Sequence, residues 1–139
     1  ARHPYDAVPS MASMFTAMYN FHSPDVPKHD PSKQVWAQYG ISFYKYSREM
    51  RKTVPPSQFF QVKYDDLLAD PQQTVLDIYK HFNWEVSEKF ATALGREQKR
   101  NQNYKSKHEY SLEEYGLSKE YIYNQLGDIM DELGFDKEF

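Results

Sequence analysis

Ala1-Arg2-His3-Pro4-Tyr5-Asp6-Ala7-Val8-Pro9-Ser10 opens the chain, and the rest is organised around it. An arginine is followed by a proline, then by an aspartate able to cap a helix, and Ser10 stands eight positions after Arg2. Beyond the aspartate, Val8, Met11, Phe15, Met18 and Tyr19 recur at helical spacing, which predicts a helix over about Asp6–Asn20. Pro9 falls in its first turn, where a missing N–H costs little. Arg2 then stands just before the helix and Ser10 about one turn inside it, so that both reach one anion. A helix N-terminus offers N–H groups and the positive pole of its dipole. A guanidinium grips phosphate through paired hydrogen bonds, and a hydroxyl adds one more donor. The same two residues also read as a surface charge beside an ordinary helix serine.

Downstream, Phe21-His22-Ser23-Pro24-Asp25-Val26-Pro27-Lys28-His29-Asp30-Pro31 is a loop, because its prolines forbid a continuous helix. A second helix is predicted over about Ser32–Thr53, with Trp36, Tyr39, Gly40, Phe43, Tyr46, Ser47 and Met50 on its inner face. Lys33, Gln34, Gln38, Lys45 and Arg48 lie opposite, and Tyr44 falls off the main stripe. Val54-Pro55-Pro56-Ser57 breaks that helix, and Gln58-Phe59-Phe60-Gln61-Val62-Lys63-Tyr64 reads as one short strand. A lone strand needs partners for its backbone, and an exposed edge favours self-association.

Asp70, Pro71 and Gln73 give the N-cap, N1 and N3 of the next helix, a capping-box pattern, with Val75, Ile78, Tyr79 and Phe82 facing inward. The neighbouring Asp65 and Asp66 belong to the turn chemistry of that junction, since adjacent side chains do not face the same way. Ser87 caps a further helix with Phe90, Ala91 and Leu94 inside, which weakens or ends near Gly95. Arg96 to His108 is a basic run, read as a loop after Gln98. Ser118 caps the last helix, Ile122, Leu126, Ile129 and Leu133 form its inner face, and Gly134 closes it.

A chain of 139 residues with 40% hydrophobic and 27% charged residues is globular and large enough for a core. The net charge of −3 argues against a general nucleic-acid binder. With no cysteine, there is neither a disulfide framework nor a thiolate metal site. No apolar run reaches the roughly 18 residues of a membrane span, and no signal peptide is visible. These features are compatible with a cytoplasmic protein. His22 and His29 stand in a proline loop with no matching carboxylate frame, so no metal site is expected.

Arg-x-Pro-x-Asp with a serine eight residues after the arginine resembles the 3′-phosphate-binding segment of the PAPS-dependent sulfotransferases. Tyr64-Asp65-Asp66-Leu67-Leu68-Ala69-Asp70-Pro71 and His108-Glu109-Tyr110-Ser111-Leu112-Glu113-Glu114-Tyr115-Gly116-Leu117 also match, in the family's order. The resemblance implies a fold that is mainly α with one short strand, the C-terminal part of a sulfotransferase-type P-loop α/β fold. Residues 1–139 then form a single domain, and the N-terminal P-loop part lies outside the sequence. Starting at Ala-Arg directly in the motif, the chain reads as a fragment, inactive alone. The complete enzyme moves a sulfuryl group from PAPS to a hydroxyl or amine, leaving PAP.

By the same resemblance, Arg2 and Ser10 hold the nucleotide 3′-phosphate, and Lys105 and Lys107 are candidates for the basic loop that closes over it. The glycine-rich form of that loop is absent. No catalytic residue is assigned, because no segment matches the family's catalytic histidine or glutamate, and no Lys-Ser/Thr phosphate loop is present. The acceptor is a small molecule, glycan or lipid. Two other readings stay open: a helical protein-binding module using the aromatic second helix, and a P-loop nucleotide kinase-like enzyme.

Overall fold

The computed structural model describes residues 1–27, 30–31, 34–101 and 110–137. Its helices are α1 (Pro4–His22), α2 (Gln34–Thr53), α3 (Tyr64–Ala69), α4 (Pro71–His81), α5 (Glu88–Asn101) and α6 (Lys119–Leu133). Short 3-10 turns occupy Pro56–Gln58 and Glu113–Tyr115. The chain forms two compact units, Arg2–Lys52 with Glu109–Phe139, and Ala1 with Thr53–His108.

The unit containing α1 and α6 packs these helices, with α2, around Val8, Ala12, Ala37, Ile41, Ile122, Leu126, Ile129 and Met130. Its last helix follows the sequence pattern. Ser118 accepts a hydrogen bond from the Tyr121 N–H at 3.0 Å, and Gly134 adopts φ 65° and ψ 41°. Gly134 N–H then donates to the Asp131 carbonyl and Phe135 N–H to that of Met130. This double closure satisfies two of the carbonyls a helix end leaves over.

The inner faces of α1 and α2 differ from the expected ones. On α1 the buried residues are Pro4, Tyr5, Val8, Pro9, Ala12 and Thr16, while Met18 is exposed. On α2 they are Ala37, Gly40 and Ile41, whereas Tyr39, Phe43, Tyr46 and Met50 face solvent. Gly40 decides this. A Cβ there would lie 3.4 Å from the Val8 Cα, so α2 presents its small-residue face to α1. The polar side of α2 is also in use: Lys45 donates to Gln125, and Arg48 pairs with Asp128 and Glu132 of α6.

In the other unit the expected strand does not form, and no β-ladder exists among the described residues. The 3-10 turn takes Gln58, and α3 already begins at Tyr64. Phe59 and Lys63 are extended, but among the described residues no second strand lies alongside to convert extended backbone into a ladder. Ala1 pairs with it: its amine donates to the Val62 carbonyl, and the Tyr64 N–H donates to the Ala1 carbonyl at 2.6 Å. These two bonds have the arrangement of a parallel pair centred on Lys63.

Asp70 caps α4, accepting from the Gln73 N–H at 2.9 Å. The Gln73 side chain turns forward to Asp77 instead of back to the cap, so the capping box is not completed. Helix α5 runs through Gly95 to Asn101, beyond the expected break. Gln98 stabilises this continuation by accepting from the Gln72 N–H at 2.7 Å.

Candidate anion-binding site

Arg2, just ahead of α1, is fixed at both of its ends. Its carbonyl accepts from the Tyr44 hydroxyl of α2 at 2.5 Å. Its guanidinium reaches two further hydroxyls: Nη2 donates to Tyr110 at 2.7 Å, and Nη1 approaches Ser10 Oγ more loosely at 3.5 Å. The Arg2 guanidinium carbon also lies 6.0 Å from the Tyr110 ring centroid, within cation–π range. Arg2 and Ser10, eight residues apart, are therefore brought together as expected. Burial pushes the Tyr44 phenol well above its ordinary pKa; the Arg2 charge pulls the other way, and Asp6 adds to the rise. Tyr44 is thus a neutral donor throughout the physiological range.

The route to this geometry differs from the expected one. Helix α1 begins at Pro4 and is capped by His3, not Asp6. The Tyr5 N–H donates to His3 Nδ1 at 3.2 Å, and the N–H groups of Asp6 and Ala7 both donate to the His3 carbonyl. Pro4 has no N–H. The first-turn donors are consumed internally, and Ser10 lies two turns inside the helix. What can hold an anion here is a set of side chains, not a helix end. His3 Nε2 lies 2.9 Å from the Asp136 carbonyl. Accepting at Nδ1 requires the proton on Nε2, so His3 donates there and ties the start of α1 to the end of the chain.

Sequence reading did not single out Tyr110 or Tyr44 as partners of Arg2. Tyr110 is 108 residues away, and no periodicity connects such positions. Lys105 and Lys107 lie outside the described residues, as does His108. The basic run leading toward them is helical up to Asn101, contrary to the expected loop. Thr92, Gly95, Arg96, Lys99 and Arg100 of α5 line an open cleft of about 560 Å³. Among the described residues no group of three or more His, Cys, Asp or Glu could hold a metal ion, and no helix is long and apolar enough to cross a membrane.

The model of the Sulfotransferase family matches residues 1–88, more than half of the chain, and the chain belongs to that family. That match includes Arg2, Ser10 and the Asp70-Pro71 helix start, and ends before Tyr110. The chain is 25% identical over 137 residues to omega-hydroxy-beta-dihydromenaquinone-9 sulfotransferase Stf3 of Mycobacterium bovis, and equally to that of Mycobacterium tuberculosis. Each alignment covers 98% of this chain and 34% of the relative, so the chain spans about a third of the length of these curated relatives. No solved structure matches.

Proposed function

We propose that the protein carrying this chain transfers a sulfuryl group from PAPS to a hydroxyl acceptor, this chain supplying the contacts to the nucleotide 3′-phosphate. The observation that carries the proposal is the Arg2 guanidinium directed at Ser10 and Tyr110 beside the first two turns of α1. It supplies a fixed positive charge flanked by hydroxyls, a donor set suited to phosphate oxygens. Arg2 and Ser10 bind and orient the donor, and Lys105 and Lys107 close on the same phosphate. In the transfer, the bond from sulfur to the bridging phosphate oxygen breaks, a bond from sulfur to the acceptor oxygen forms, and the acceptor proton leaves to a base. That base and the loop holding the 5′-phosphosulfate are supplied by a P-loop α/β portion. The parallel pairing of Ala1 with the extended segment at Lys63 supports such a sheet.

Arg2→Ala in the full-length protein is expected to weaken PAPS binding by about 1.5–3 kcal/mol, the size of a charged hydrogen bond. Calorimetric titration measures it, and unchanged affinity excludes Arg2 as the phosphate ligand.

For the acceptor we propose a hydroxyl borne on an extended apolar chain. The relatives' printed substrate, a hydroxylated dihydromenaquinone, supports this. So do the exposed apolar side chains of α1 and α2, among them Met14, Met18, Tyr39, Phe43 and Tyr46. Sulfate transfer to a long prenyl alcohol should exceed transfer to a monosaccharide; the reverse order removes the lipid reading.

A further inference from the structure

We propose that Tyr110 is a third member of the anion cradle, holding the Arg2 guanidinium in place and donating a hydrogen bond from its phenolic hydroxyl to the bound phosphate. The inference rests on the reading of Arg2 as a phosphate ligand and extends it to a residue beyond the family match. It follows from which partner can donate. A guanidinium carries only donors, so in the 2.7 Å contact the Tyr110 oxygen must accept from Arg2 Nη2. A hydroxyl has one proton and two lone pairs. The Tyr110 proton plays no part in that contact and is directed by it toward a different atom.

A phosphate oxygen beside Arg2 is an acceptor without a proton to offer, and it completes the arrangement. Ser10 stands in the same relation to Nη1, at 3.5 Å. The two terminal nitrogens of one guanidinium thus each address a hydroxyl, and each hydroxyl keeps a proton for the anion.

Tyr110 also restricts the guanidinium. Its ring lies within cation–π distance of Arg2, and Tyr44 fixes the Arg2 carbonyl from another helix. Less side-chain freedom is then lost when the anion arrives. The consequence is specificity. Tyr110 distinguishes a nucleotide bearing a 3′-phosphate from one bearing a 3′-hydroxyl, and makes no difference to the latter.

The test compares adenosine 3′,5′-bisphosphate with adenosine 5′-monophosphate on the full-length protein, the Tyr110→Phe variant and the Arg2→Ala variant. Phenylalanine keeps the ring and its packing and removes only the hydroxyl. Tyr110→Phe is expected to lower affinity for the bisphosphate about tenfold and to leave affinity for the monophosphate unchanged. A purely structural role would lower both affinities together or lower only the melting temperature. If Tyr110→Phe keeps the wild-type ratio of affinities while Arg2→Ala abolishes it, the role of Tyr110 is overturned and that of Arg2 stands. If the wild-type protein shows no preference for the bisphosphate, both fall.

Discussion

The unit of α1, α2 and α6 buries Val8, Ala12, Ala37, Ile122, Leu126 and Met130 completely. The unit of α3, α4 and α5 buries, among its described residues, only Thr74, which keeps 8% of its surface exposed. Its apolar side chains gather instead in a half-exposed aromatic group, with Tyr79 stacked on Phe90 at 4.9 Å and Phe82 on Trp84 at 4.8 Å. The cluster of Arg2, Ser10 and Tyr110 belongs to the unit with the core. Arg2 and Tyr110 are 108 residues apart, and a rigid framework is what holds a long-range pair at hydrogen-bond distance. The other unit is held chiefly by local devices, such as the Asp70 cap and the Gln72–Gln98 bond.

This contrast can be broken by substitution. Leu126→Ala, at a fully buried position of α6, should cost about 2–5 kcal/mol, because the cavity adds to the lost burial. Leu68→Ala, at a residue 62% exposed in α3, should stay within about 0.5 kcal/mol. Denaturant unfolding measures both, and similar losses would erase the distinction between the units. Asp70→Ala removes the side chain that accepts from Gln73 and should cost about 1 kcal/mol. Hydrogen exchange sharpens the result: the loss should appear as faster exchange in α4, with the α6 amides unchanged. Equal acceleration in both helices would mean that the units open together.

The smallest effect concerns acid. The hydrogen bond from Arg48 holds the Asp128 carboxyl below its ordinary pKa; burial opposes this, and the Ile129 N–H adds to the lowering. A folded-state pKa below the unfolded one contributes stability that is present above the ordinary carboxylate range. It is lost as the pH falls through the folded value. Asp128 is largely exposed, so solvent screening keeps the contribution small. The melting temperature should decline slightly more below about pH 4 in the wild-type protein than in Asp128→Asn. Superimposable pH profiles would show that the bridge contributes nothing.

Much of this architecture was legible in the residues, and the failures share a cause. The bounds of helix α6 and most of its inner face could be read, because Ser118, Gly134 and the apolar spacing between them act locally; Met130, fully buried, was not in the expected face, and Leu133 is only partly buried. The Asp70 cap was legible for the same reason. The inner face of α2 was not, since the large aromatics outweigh Ala37, Gly40 and Ile41 in any pattern, and only the approach of Val8 to Gly40 selects the smaller face. The segment from Gln58 to Tyr64 has strand composition, but a ladder requires a neighbour that the composition does not provide. At the site, the pairing of Arg2 with Ser10 was legible because it is nearly local. Tyr110 was hidden by distance along the chain. Capture of the first-turn N–H groups by His3 was hidden by the aspartate that looked like the better cap.

The most direct test of the central claim, that Arg2 and its hydroxyl partners recognise a nucleotide 3′-phosphate, is calorimetric titration of the full-length wild-type protein. Adenosine 3′,5′-bisphosphate and adenosine 5′-monophosphate are compared at one salt concentration. The arrangement around Arg2 predicts that the bisphosphate binds at least tenfold more tightly, about 1.4 kcal/mol. Equal affinities would contradict it.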